Sequence, residues 1–560
     1  MTESKIVTAS EDSLQIQFEQ KICQEVNGQI SDFVEAFESF TKDMPEIREV
    51  VATYCAVTVY FNPEKCSVSV IREIAQNVLD KLNGASIKDS VSGRIINIPV
   101  CYEDQEFAPD LQNVCTNTGF NREEVINLHS SKDYLIYMLG FLPGFPYLGG
   151  MDERLETPRL ENPRTRIPAG SVAIGGKQTG LYPVESPGGW QIIGRTPLKV
   201  FDLKRNPAFL YKAGDRIRFV PVSRQEFDSF DEKKWLETKG TDSADSKVTE
   251  ENSPAQDVSR RRLPKYVCTS GVKILDAGLC TTIQDEGIIG YQKFGIGQSG
   301  AMDIESFHFA NRLCGNDENS ACLETTLKGT DLCFTLPCDF AITGAEFKNA
   351  FLDGKPVPMN TCIHAEKNSV LSCGFASKGL RSYIAFAGGI LVPEIFGSRS
   401  TNLKSRMGGF WGRKLQKGDE LAVGWKKQTA EDEPALKIMN SFFTQNNEIL
   451  TIQCLKSSQF DFFSKESVEV FENSVYTVNA QSDRMGIRFE GRSLNCGKTD
   501  IISDAIPFGA VQITSAGLPV VMAADRQTTG GYAKIACVTK DGMCRLAQAV
   551  PGTKVKFEII

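Results

Sequence analysis

The stretch RIPAGSVAIGGKQTGLYPVESPGGWQIIG, Arg166 to Gly194, limits the fold more than any other feature of the chain. Its apolar runs are short, and Gly or Pro breaks them every few residues. A helix interior loses roughly 1 kcal/mol for each Gly and roughly 3 kcal/mol for each Pro relative to Ala, so short strands joined by tight turns are expected here. The same texture returns later in CFTLPCDFAITGA, SYIAFAGGI, GAVQITSAGLPVVMAADRQTTGGY and GTKVKFEII. It reads as a β-barrel or sandwich in each half, without a repeat of fixed period.

The opening residues differ. LQIQF alternates like a strand, and Ile22, Val26, Ile30, Phe33, Phe37 and Phe40 then recur at spacings of three and four, as on an amphipathic helix. VVATYCAVTVYF reads as one buried strand, a second helix places Val70, Ile74, Val78 and Leu82 on one face, and RIINIPV reads as the next strand. A short helix is expected at Asn121, where Glu124 stands in position for a capping box. The segment from Asp231 to Lys265 is charged, rich in Ser and Thr and poor in large apolar residues, so it reads as a linker. The expected division is a small α+β domain over 1–92, a β-barrel over 93–227, a linker over 228–265 and a β-rich region of two subdomains over 266–560. The fold class is α+β and mainly β.

Composition narrows function. A net charge of -8 argues against a nucleic-acid partner. No apolar run approaches the roughly 18 residues of a membrane helix, and the start lacks signal-peptide order, so a cytoplasmic location is expected. The 17 cysteines contain no C-x-x-C pair and read as reduced thiols. Three histidines, His129, His308 and His364, are too few for a convincing zinc site or Ser-His-Asp triad, and read as satisfied core residues. A carboxylate-bound magnesium stays open.

Several motifs invite chemistry. Gly295, Gly297 and Gly300 spell G-x-G-x-x-G, and Glu324 follows at a tolerable distance for a ribose ligand. A dinucleotide fingerprint needs a buried strand before it, however, and TTIQDEGIIGYQK is mostly polar. These glycines read as a tight turn before a helix starting near Asp303. GRSLNCGKT has one residue too many between Gly491 and Gly497 for a phosphate-binding P-loop. GFLPGFPYLGG, Gly140 to Gly150, reads as a rigid loop with exposed rings, either a pocket wall or a plug in a barrel end. As a pocket wall it would contribute Pro143, Gly144, Phe145 and Tyr147 to substrate binding. ESPGGWQIIGRTP would add Gly188, Gly189, Trp190 and Gln191, with Arg195 gripping a carboxylate or phosphate or simply pairing with a surface acid. In SDRMG and ADRQTTGGY, Asp483 and Asp525 are candidate bases or magnesium ligands. Arg484, Arg526, Thr528, Thr529, Gly530 and Gly531 are candidate anion or nucleotide contacts, and the alternative is an Asp-Arg pair that braces a turn.

Taken together and in order, these motifs resemble a known family. The run from YLIYMLGFLPGFPYLGG through ESPGGWQIIGRTP resembles the B component of 5-oxoprolinase, also called allophanate hydrolase subunit 1. TTIQDEGIIGYQKFGIGQSGAMDIESFHFANRLCGN, YIAFAGGI, SDRMG and DRQTTGGY resemble its C component, a biotin-dependent carboxyltransferase-like protein. The resemblance implies a B–C fusion with cyclophilin-like β-barrel domains in both halves. It also implies ATP-driven opening of 5-oxo-L-proline to L-glutamate, with ATP and magnesium required and the separate A component of 5-oxoprolinase as partner. It assigns no catalytic residues; Asp483, Asp525 and Arg195 are chosen on chemistry. Two rival readings follow from the same resemblance: carboxyl transfer to urea or a related amide from biotin carried on another protein, and inhibition of a sensor histidine kinase. Self-association stays open.

Overall fold

The computed structural model describes residues 4–83, 93–242, 271–424, 449–495 and 500–560. Strands Lys5–Ser10, Ser13–Gln17, Ile47–Ala52 and Ala56–Phe61 form an antiparallel sheet in the order first, second, fourth, third. Helices Gln24–Thr41 and Val68–Asn83 pack on it through Val26, Ile30, Phe33 and Phe37 and through Ile71, Ile74 and Val78. Two expectations shift here. The run from Val50 to Phe61 is a hairpin, because the chain turns at Thr53, whose N–H donates to Ala56 O at 2.8 Å. The apolar stripes are narrower than expected: Ile22, Phe40 and Val70 are exposed, and Ile71 and Leu79 complete the buried face instead.

A second body follows. Ile95–Val100 pairs in parallel with Arg216–Pro221 in a five-stranded sheet that also takes in Asp133–Leu139, Pro146–Gly149 and Thr241–Asp242. Gln178–Leu181, Ser171–Gly175 and Gln191–Arg195 make a three-stranded sheet, and Ile98, Ile136, Ile174, Ile193 and Phe219 share one core. Helix Arg122–Ser130 starts at the expected capping box, with both of its reciprocal hydrogen bonds present. The expected linker does not begin at Asp231. Helix Glu232–Thr238 buries Trp235, whose indole donates to Asn97 O at 3.1 Å. Residues 243–265 of that expected linker, and Cys496 to Thr499 of the rejected P-loop, lie outside the described residues.

In the second half a seven-stranded and a five-stranded sheet enclose Ile274, Phe334, Phe340, Ile342 and Phe386. Helix Ile304–Leu313 begins at Asp303 as expected; its N-cap carboxylate accepts from Ser306 N. A closed seven-stranded barrel runs from Leu450–Lys456 to Lys554–Ile559 around Ile452, Ile487, Val511, Val521 and Phe557. Beside it, Asp500–Ala505 pairs with Thr529–Tyr532 as a two-stranded ribbon. The whole is mixed α+β and mainly β. Among the described residues every cysteine is a free thiol, and no helix is long and apolar enough to cross a membrane.

Candidate functional site

Most of the motifs meet along one seam between the halves. Gly144 N–H donates to Phe294 O at 2.7 Å, joining GFLPGFPYLGG to the glycine run of the second half. Gly295 has a φ of +81°, and a Cβ there would lie 2.1 Å from Leu142 O. Only glycine permits both the turn and the approach. A Cβ on Gly297 would lie 3.0 Å from Arg526 O, and Ser299 N–H donates to Ala524 O at 3.1 Å. On the other side of the loop, Tyr147 Oη lies 3.4 Å from Thr529 Oγ1, and a Cβ on Gly140 would press on the same hydroxyl at 2.4 Å.

The ribbon Asp500–Ala505 carries the polar centre of this seam. Asp504 is buried and accepts from Gln15 Nε2 at 3.0 Å, Thr53 Oγ1 at 3.3 Å, Gln459 Nε2 at 2.9 Å and Lys534 Nζ at 3.2 Å. Two of these donors come from the N-terminal sheet and two from the barrel. Lys534 is fully buried, so the ion pair is shielded from water and both of its members depend on the contact. Next to Asp504 lies a pocket of about 140 Å³, with Gln15, Gln17, Gln20, Ser503 and Lys5 among its polar walls and Phe18, Phe462, Ile501 and Ile502 among its apolar ones. Ser503 in this wall neighbours Tyr147 of the aromatic motif. Burial pushes the Cys55 thiol in this wall up to about 11, so it is not poised as a thiolate nucleophile.

A second buried network lies within the second half. Arg484 contacts Glu324, donates to Asp525 Oδ1 at 3.0 Å and to Gly300 O at 2.7 Å. Glu324 also accepts from Tyr383 Oη at 2.7 Å and Met302 N at 2.9 Å. Burial pushes the Glu324 carboxyl up, but the Arg484 and Arg381 guanidinium groups, together with the Met302 N–H and the Tyr383 hydroxyl, hold it below the ordinary range. Arg526 is different: it is 3% exposed, no carboxylate lies within 4.0 Å among the described residues, and one Nη has no hydrogen-bond partner there.

Comparison with known proteins fits this two-part construction. Residues 4–211 match the family model described as carboxyltransferase domain, subdomain C and D, and residues 294–559 match that described as carboxyltransferase domain, subdomain A and B. The chain belongs to the carboxyltransferase-domain family. It is 38% identical to the B component of 5-oxoprolinase from Bacillus subtilis over 233 residues, 41% of this chain and 97% of that protein. It is 36% identical to the C component of 5-oxoprolinase from Haemophilus influenzae over 290 residues, 52% of this chain and 91% of that protein. The crystal structure of TTHA0988 superposes with a TM-score of 0.78 at 28% identity, covering 98% of this chain and 99% of that one.

Within this carboxyltransferase architecture the individual expectations fare differently. The seam brings Gly144 and Tyr147 against Phe294 and Thr529, with Arg526 and Thr528 beside them on Ile506, whereas Arg484 and Asp525 bond only within the second half. The rings of GFLPGFPYLGG are not exposed. Phe145 packs edge-on against Tyr147, Tyr182 and Trp190 at 5.2, 5.3 and 5.8 Å, because the motif plugs the interior of its own body. Trp190 fills the space that Gly175 and Gly180 leave open, while Gln191 Nε2 donates to Pro158 O at 2.9 Å. Gly188 packs on Tyr182, and Gly189 O accepts from Leu160 N at 2.7 Å. Arg195 stands apart from the seam: its partners, Ala169 O at 3.3 Å and the Phe107 ring at 5.7 Å, belong to the first half. Asp483 is exposed and braces its turn by accepting from Met485 N at 2.9 Å and Gly486 N at 3.0 Å. Asp525 is committed to Arg484. Thr529 to Tyr532 form a strand, so Gly530 and Gly531 serve close packing on Ile506 and Ile501 instead of an anion-binding turn. The three histidines are paired, His129 with Tyr102 and Thr179, His308 with Glu286 and His364 with Asp339, but only His129 is the expected core residue: His308 is half-buried, and His364 is exposed because its strand Cys362–Ala365 lies at a sheet edge.

Sequence reasoning missed Asp504, Lys534, Gln15 and Tyr60 altogether. Lys534 opens an otherwise apolar strand, which marks a buried partner without saying which, whereas Gln15 and Asp504 stand among other polar residues of their strands, so nothing local marks them as buried. Glu324, weighed as a ribose ligand, is instead the anchor of Arg484.

Proposed function

We propose that this chain carries, on one polypeptide, the two carboxyltransferase-type components of an ATP-dependent 5-oxoprolinase and acts with the separate A component. The observation that carries the reading is that its two halves match relatives named as the B and C components of that enzyme over 97% and 91% of their lengths. The seam supports it, because motifs from both halves would build one site. The reaction is 5-oxo-L-proline, ATP and two waters giving L-glutamate, ADP and phosphate. A lactam carbon is a poor electrophile, and ATP, when bound, supplies the phosphoryl group that turns the lactam oxygen into a leaving group. The pocket beside Asp504 would hold the ring, with the amides of Gln17 and Gln20 matching the lactam N–H and C=O. Phe18, Ile501 and Ile502 would keep bulk water from it. Among the described residues no group of three or more His, Cys, Asp or Glu is arranged for a metal, so magnesium would be held chiefly by phosphate oxygens. Cyclophilin-like barrels and a cytoplasmic location belong to the same proposal.

Carboxyl transfer, with biotin on a partner protein, is the second reading, favoured by the description of the family itself. One assay separates the two. Purified chain is incubated with ATP, magnesium and 5-oxoproline, with and without the A component, and glutamate and ADP are quantified. Equal amounts of both, only when the A component is present, are expected. No glutamate with the A component, together with consumption of carboxybiotin in a parallel incubation supplied with it and urea, would replace this reading with carboxyl transfer.

A further inference from the structure

Arg484 and Arg526 are both buried, at 7% and 3% exposure, yet only Arg484 has counter-charges. Arg526 Nε donates to Ile506 O at 2.8 Å and one Nη donates to Gln292 Oε1 at 3.3 Å. Its other Nη has no partner among the described residues. A guanidinium removed from water without a carboxylate is costly unless something else supplies charge and acceptors.

Two more buried donors nearby are equally unsatisfied. Tyr60, whose ring packs on Ala505 beside the Ile506 that Arg526 holds, and Thr528, whose O accepts from Ile506 N at 3.0 Å, each carry a hydroxyl with no partner among the described residues. The Phe508 ring covers the guanidinium at 5.5 Å. The charged and titratable neighbours do not fill the gap. Asp12 is bound by Ser10 Oγ at 2.6 Å and Arg48 at 3.7 Å, and Asp504 by Lys534 Nζ at 3.2 Å and Gln459 Nε2 at 2.9 Å. Glu49 accepts from Lys293 N at 2.8 Å and is separated from Arg526 by the Gln292 amide, and Cys537 donates to Phe508 O.

We propose that Arg526, Thr528 and Tyr60 form a buried oxyanion site in the seam between the halves. One guanidinium edge and two hydroxyls are the donor set that a carboxylate or phosphate satisfies. The site rests on the proposed function for its natural occupant, which is either the carboxylate of the lactam or a phosphate derived from ATP. The shared chemistry is an oxyanion bound away from water.

The test uses the full chain and needs no turnover. Thermal unfolding and calorimetric titration are run at fixed ionic strength with inorganic phosphate, with 5-oxoproline and with uncharged 2-pyrrolidinone, each against a chloride control. A ligand of the native state raises the unfolding midpoint with its concentration. We expect phosphate or 5-oxoproline to do so, and 2-pyrrolidinone to lack the Arg526-dependent part. A phosphate response alone assigns the ATP-derived group, and a 5-oxoproline response alone assigns the lactam carboxylate. Arg526→Met should lose at least tenfold in anion affinity while unfolding no earlier than wild type in chloride, because it removes an uncompensated charge. Thr528→Val and Tyr60→Phe, which keep the fold if Arg526→Met does not, should each lose several-fold. No response to either anion, or an equal response in all three variants, overturns the site. An anion response in a chain that makes no glutamate with the A component would keep the site and remove the lactamase reading.

Discussion

Glu49 and His129 carry opposite pH signatures, and both follow from burial. Glu49 is 6% exposed at the seam, and loss of water pushes its carboxyl above the ordinary 4.5 despite the N–H donors of Lys293 and Gln292. The folded state therefore keeps this proton to higher pH than the unfolded chain, so Glu49 favours folding in acid and that benefit is lost as pH rises through its folded pKa. Glu49→Gln should remove this loss, and denaturant unfolding at pH 5 and pH 7 should show the variant gaining stability relative to wild type at the higher pH. His129 is fully buried between Tyr102 Oη and Thr179 Oγ1, each at 2.8 Å, and burial pushes it down to about 3. Its contribution is present at neutral pH and is lost as pH falls below about 6.5, by about 1 kcal/mol over the first unit and about 1.4 kcal/mol per unit below that. An NMR titration should find the His129 imidazole still neutral at pH 5; a midpoint near 6.5 would contradict its burial. At this scale the sequence identified many reactive residue types near the seam but not their partners. Asp525 and Arg526 stand side by side in the chain, yet one is spent on Arg484 and the other is left without a counter-charge, and that difference is decided by residues far away in sequence.

Elements were legible where their signals are local. Asn121 and Glu124 make a capping box from adjacent residues, and Asn121→Ala should cost about 1 kcal/mol in denaturant unfolding without changing the fold. The hairpin at Thr53 was not legible, because no Gly or Pro marks the turn and its strands are both buried. The aromatic loop from Gly140 to Gly150 was recognised as rigid, but its rings were expected outside. Whether such rings face solvent depends on Tyr182 and Trp190, which arrive from other strands to surround Phe145. Phe145→Ala should therefore behave as a core truncation, lowering stability by about 3–5 kcal/mol. A loss under 1 kcal/mol would mean that the ring is not packed as described.

At the scale of the molecule the two halves are held by buried polar contacts as well as by apolar ones. Asp504→Ala would leave Lys534 charged and unpaired in the interior, at a cost of about 3–5 kcal/mol, and should lower the unfolding midpoint of the whole chain. Two halves of β-rich texture were legible from the punctuation by Gly and Pro, but their mutual docking was not, since backbone approaches such as Gly295 to Leu142 leave only a glycine in the sequence. The central claim is that both halves build one site along this seam. Gly295→Ala tests it most directly, because the new Cβ would meet Leu142 O at 2.1 Å and the backbone there has a φ of +81°. Hydrogen exchange at Gly144 N–H, which donates to Phe294 O, reports whether the seam has opened, and circular dichroism reports whether each half keeps its fold. Glutamate formation with the A component should then fall at least tenfold while the dichroism is retained. Turnover equal to wild type in a variant whose Gly144 amide exchanges freely would contradict the claim and place the reaction within one half.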